Sequence, residues 1–121
     1  MKNQTFRMTM LFDFYGELLT DKQREYFDLH YNEDLSLAEI AALTGISRQG
    51  VWDIIKRAEA NMTEIEDKTG LIKRFMQLQP HVEKITDAAE QIKQLNFRRY
   101  EDRQLEELAG VIEAEAAALK E

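Results

Sequence analysis

Residues 47–57 read SRQGVWDIIKR, which sets a hydroxyl, a guanidinium and a carboxamide side by side and follows them with an indole and two more cations. These residue types suit the edges and phosphates of a nucleic acid. Arg48 offers the two-pronged donor that guanine O6 and N7 accept, and Gln49 the paired donor and acceptor that adenine takes. If a helix starts here, the Ser47 hydroxyl and the first backbone N–H groups can hold a phosphate. Lys56 and Arg57 would position the backbone, and Trp52 carries a ring on which a base or a partner side chain stacks.

Helical geometry decides which of these face one way. With Val51, Ile54 and Ala58 turned inward, 100° per residue turns Gln49, Asp53, Lys56 and Arg57 outward and leaves Arg48 and Trp52 on the flanks. Asp53 works against nucleic-acid binding, because a carboxylate in a groove repels phosphate unless a cytosine N4 donor or a neighbouring cation compensates it. The competing account is an ordinary solvated helix face, with Trp52 half-buried in packing.

The elements that position this face are also written in the sequence. Ser36 and Glu39, three apart, form a capping box ahead of Leu37, Ile40, Ala41 and Leu43. Gly45 supplies the left-handed stop and Ser47 caps the next helix. Ala41 at a helix crossing, Gly45 four residues on and Val51 six beyond that are the small residue, turn residue and branched anchor of a helix-turn-helix. Its second helix extends to Lys68 or Thr69, and Gly70 ends it.

The rest of the chain is read as helix as well, so the fold class is all-α. A first helix is predicted over about Thr5 to Leu19, and a second, capped by Thr20 with Asp21 in its first turn, to His30 or Tyr31. Beyond Gly70 come residues 71–78, then a helix opened by Pro80 with Val82, Ile85, Ala89 and Ile92 inward. A last helix near Arg103 to Leu119 shows Leu105, Leu108, Ile112 and Leu119 on one stripe. The expected organisation is a helix-turn-helix part over 1–70 and a dimerisation or docking extension over 71–121, packed as one domain. Unpaired stripes of this kind favour a homodimer.

The stretch LLTDKQREYFDLHYNEDLSLAEIAALTGISRQGVWDIIKRAE resembles region 4 of bacterial sigma factors, which places a recognition helix in the major groove of promoter DNA. Together with LFDFYGELLT before it, SRQGVWDIIKR within it and a length near 120, the chain resembles the YlxM family of small bacterial helix-turn-helix proteins. That resemblance implies a regulatory role and a tie to the signal recognition particle pathway. The implied partners are DNA, or the RNA or GTPase of the particle, the latter pair making the protein an accessory adaptor.

Composition limits the other classes. A net charge of −7 over 121 residues argues against indiscriminate nucleic-acid binding, which needs clustered cations to release counterions. With no cysteine there is neither a disulfide framework nor a thiolate metal site. His30 and His81 lack partners at ligand spacing, and the acidic stretch around Asp28, Asn32, Glu33 and Asp34 lacks the alternation of a calcium loop. No nucleophile-base arrangement or phosphate-cradling glycine loop occurs. The expectation is a non-enzymatic cytoplasmic protein with no cofactor, no metal, no small-molecule ligand and no membrane insertion.

Overall fold

The computed structural model describes residues 2–120, with side chains from residue 4 onward. Among them are six α-helices and no strand: α1 (Lys2–Tyr15), α2 (Asp21–Tyr31), α3 (Leu37–Thr44), α4 (Arg48–Thr69), α5 (Leu71–Leu95) and α6 (Arg103–Ala118). The contacts gather into two compact units, one through Ile72 and one from Lys73 onward.

In the first unit the predicted caps do the work expected of them. Thr20 accepts from the Gln23 N–H while Gln23 returns a bond to the Thr20 N–H, and Ser36 and Glu39 do the same for α3. Gly45 sits at φ 78° and its N–H closes α3 on the Ala41 carbonyl. One boundary differs from expectation. The first helix stops at Tyr15, and Gly16–Leu18 tighten into a single 3-10 turn. Gly16 is buried there with the Phe12 ring 3.1 Å from where a Cβ would stand.

Two apolar clusters hold this unit. Leu11, Phe27, Ala58 and Met62 anchor the first, in which Phe27 stacks on Phe12 at 4.8 Å between ring centroids and packs on Tyr31 at 4.5 Å. Tyr26, Ile40, Val51 and Ile55 form the second, beneath the helix-turn-helix. The Tyr15 hydroxyl ties the end of α1 to the end of α4 by donating to Glu66, which also accepts from the Ile72 N–H at 3.0 Å. Burial, then the Glu66 carboxylate, pushes the Tyr15 pKa up.

The second unit departs more from expectation. Pro80 does not open a helix; it lies inside α5, which is continuous from Leu71 to Leu95. Proline lacks the N–H that would reach the carbonyl four residues back, a cost of about 3 kcal/mol. Good helix formers on both sides and the burial of Val82 and Ala89 offset that single loss. After α5 a π turn, Asn96–Tyr100, reverses the chain into α6. Buried Asn96 holds the turn: its Nδ2 donates to the Asp102 carbonyl at 2.7 Å and its Oδ1 accepts from the Asp102 N–H at 2.9 Å. Asp102 then caps α6 through the Gln104 and Leu105 N–H groups.

The inward faces of this hairpin are also corrected. Val82 and Ala89 are buried as expected, but Ile85 and Ile92, expected inward, are substantially exposed; on α6 the stripe of Leu105, Leu108, Ile112 and Leu119, expected to serve dimerisation or docking, is exposed. Ala109 and Ala116 are the buried positions instead.

Candidate nucleic-acid interface

The helix-turn-helix is assembled from α3, a three-residue turn and α4. Thr44 Oγ1 donates to the Ile40 carbonyl at 2.8 Å, finishing α3, and Gly45 turns the chain into Ile46 and Ser47. Val51 is fully buried beneath α4 and Ala41 packs at the margin of the same cluster. The turn leaves no slack. A Cβ on Gly50 would meet the Ile46 Cγ2 methyl at 2.7 Å and the Ser47 Oγ at 3.2 Å, so Gly50 is required where the first turn of α4 closes over Ile46. Sequence reasoning had given Gly50 no role, because the need arises only from this approach.

Ser47 is the N-cap of α4, its Oγ accepting from the Gly50 N–H at 3.0 Å. That leaves its hydroxyl hydrogen and the N–H groups of Arg48 and Gln49, the first two of the helix, directed away from the helix body. Arg48 and Gln49 are exposed on the first turn, and with Leu37 and Trp52 they line a shallow open depression. Trp52 is 43% exposed, so its ring is half available rather than absorbed in packing. Gln49 Nε2 donates to Asp53 Oδ1 at 3.0 Å, one turn along.

The inward stripe of α4 is Val51, Ile55, Ala58 and Met62, with Ile54 only partly buried, a small rotation from the Val51, Ile54, Ala58 stripe expected. The rotation keeps Gln49, Asp53, Lys56 and Arg57 outside. It also brings in Glu59, an acid at 7% exposure. Glu59 Oε2 accepts from the Tyr31 hydroxyl at 3.1 Å and its Oε1 lies 3.4 Å from Lys56 Nζ, which also stands 5.7 Å over the Trp52 ring. Burial, followed by the Glu59 carboxylate, pushes the Tyr31 pKa up to about 12. Lys56 is therefore partly neutralised by its own helix, which the spacing of charges alone had not revealed. An acid three residues after a lysine was the available signal.

His30 is structural: its Nδ1–H donates to the Leu35 carbonyl at 2.9 Å and steadies the loop before α3. Among the described residues no group of three or more His, Cys, Asp or Glu side chains is placed to hold a metal, and no helix is long and apolar enough to cross a membrane.

Comparison with known proteins agrees with this architecture. Residues 2–110 match the model of the UPF0122 family, described as "Putative helix-turn-helix protein, YlxM / p13 like". A UPF0122 protein of Thermoanaerobacter sp. (strain X514) is 51% identical over 87 residues, 72% of this chain and 74% of the relative. One of Bacillus thuringiensis (strain Al Hakam) is 44% identical over 114 residues, covering 94% of this chain and 96% of its own.

Proposed function

The chain belongs to the UPF0122 family, and from that premise we propose that it is a nucleic-acid-binding regulatory protein that reads duplex DNA with the first two turns of α4 and acts as a homodimer. The observation that carries this is the exposure of Arg48 and Gln49 together on the first turn of α4, beside a half-open Trp52. In a major groove Arg48 takes guanine and Gln49 adenine, while the Ser47 hydroxyl and the Arg48 and Gln49 N–H groups take a phosphate. Arg57 supplies backbone charge, and Lys56 contributes less because Glu59 already holds it. Selection then rests on base edges more than on bulk charge, in keeping with a net charge of −7.

A pool of random duplexes, enriched on the protein at near-physiological salt, tests this. Enrichment of a defined site containing guanine and adenine supports the reading, and a pool that stays random counts against it.

The neutralised Lys56 and the exposed Trp52 favour a second reading, in which the same face meets the RNA or GTPase of the signal recognition particle. Titration against those two components separates the readings: association there without duplex selection makes the protein an accessory of that pathway.

A further inference from the structure

The C-terminal hairpin carries two sets of heptad positions on each helix. On α5 Val82 and Ala89 are buried seven apart, a spacing that buried Asn96 continues into the turn, while Leu78, Ile85 and Ile92 recur every seven and are 40–46% exposed. On α6, Ala109 and Ala116 are buried seven apart, while Leu105 and Ile112 are 37% and 39% exposed. Spacings of three and four between the two sets are the pattern of a coiled-coil seam, in which both columns are normally covered. Here one column is buried on both helices and the other is left half open on both.

A seam of three alanines, one valine and one asparagine is a small core for a unit of 49 residues, a size at which a single layer of contacts rarely suffices. The open columns supply the missing layer only when something covers them. Charge indicates what. Residues 73–100 carry six basic and three acidic side chains, and residues 101–120 carry two basic and six acidic ones. Within the hairpin this difference is already used: Lys93 Nζ lies 2.6 Å from Glu113 and 3.9 Å from Glu106. On α5 itself four basic and three acidic side chains nearly balance, whereas on α6 one basic side chain stands against four acidic ones, so across a two-fold axis α5 is the helix that α6 can face without setting acid against acid.

We propose that this face is the seat of a second copy of the chain, with α5 of each copy lying against α6 of the other in a four-helix bundle. The arrangement places the open leucines and isoleucines of both copies in one interior and keeps the two acidic α6 helices apart, whereas α6 against α6 would face acid with acid. It rests on the homodimeric part of the function proposed above and is independent of what α4 binds.

Sedimentation equilibrium of the full chain, without nucleic acid, tests it. The wild type is expected to be dimeric at micromolar concentration. Ile85→Glu combined with Ile112→Glu is expected to weaken association at least about a hundredfold while helical circular dichroism is kept, because the interface would have to bury carboxylates in an apolar seam. Leu43→Glu on α3, an apolar and still more exposed site off the hairpin, is expected to leave the dimer intact. A wild type that stays monomeric at about 100 µM overturns both dimer and face. A double variant that associates like wild type overturns the face alone. If the double variant loses its helices, the wild type decides: a Tm that rises with protein concentration supports the proposal, and one independent of concentration contradicts it.

Discussion

Gln49 Nε2 reaches Asp53 Oδ1 at 3.0 Å, one turn further along α4. The acid that argues against phosphate binding is thereby the acceptor that orients the amide best suited to adenine. One Nε2 hydrogen is committed to Asp53; the second and the Oε1 acceptor remain, which is the pair adenine uses. Asp53→Ala should therefore do two opposite things. It removes a repulsive charge, so affinity for random duplex rises, and it frees the amide, so discrimination at the adenine falls by about 1 kcal/mol. Competition titrations with matched and single-mismatch duplexes read both. Unchanged discrimination would make the pair a surface contact only.

Tyr31 and Glu59 make a second prediction. With its folded pKa raised to about 12, neutral Tyr31 contributes stability that is complete below the unfolded value near 10 and is lost as pH rises through about 12. Glu59→Gln removes the carboxylate that shares in this shift, so ultraviolet absorbance should show one tyrosine ionising at lower pH. The same change frees Lys56 and should steepen the salt dependence of nucleic-acid binding.

Gly50→Ala tests the closeness of the turn. In an open helix the change stabilises by up to about 1 kcal/mol. Here the new methyl would stand 2.7 Å from Ile46 Cγ2, on a β-branched side chain with little freedom to move. A net loss of about 1–2 kcal/mol in urea denaturation is expected, with reduced affinity as the first turn of α4 shifts. A stabilised variant would show that Ile46 yields.

Lys93 and Glu113 give the hairpin a pH dependence. The hydrogen bond from Lys93 is the main cause that holds the Glu113 carboxyl below its usual range, and the same bond raises Lys93. A depressed carboxyl contributes stability present above its unfolded pKa and lost as pH falls through its folded one; a raised lysine contributes stability lost only as pH rises through its own folded pKa. Acid titration should therefore weaken the hairpin below the ordinary glutamate range, and Glu113→Gln should flatten that part of the curve. An identical acid limb in the variant would contradict it.

Much of the first unit was legible because local chemistry and tertiary demand agree there. Thr20, Ser36, Gly45, Ser47 and Gly70 each mark a helix boundary by a mechanism confined to a few residues, and the structure places them as expected. The second unit was less legible because its decisions are tertiary. Pro80 reads locally as a helix start, yet the seam of Val82 and Ala89 carries the helix through it. Apolar periodicity on α5 pointed inward for Ile85 and Ile92 as well as for Val82 and Ala89, whereas only the last two are buried, and on α6 the buried positions are Ala109 and Ala116, which their small size does not announce. At the candidate interface the exposed residue types could be read from the sequence. What they hold could not: Glu59 reaches Lys56 and Tyr31, and Asp53 reaches Gln49, through side-chain choices that spacing permits but does not fix.

Base reading by the first turn of α4, proposed above, is open to direct measurement. Its most direct test is the affinity of wild type and Arg48→Ala for an enriched duplex and for a scrambled one, at the same near-physiological salt. Arg48→Ala is expected to lose about 1–3 kcal/mol on the enriched duplex and much less on the scrambled one, with specificity relaxed at a single guanine. Equal losses on both duplexes, or none on either, would contradict it.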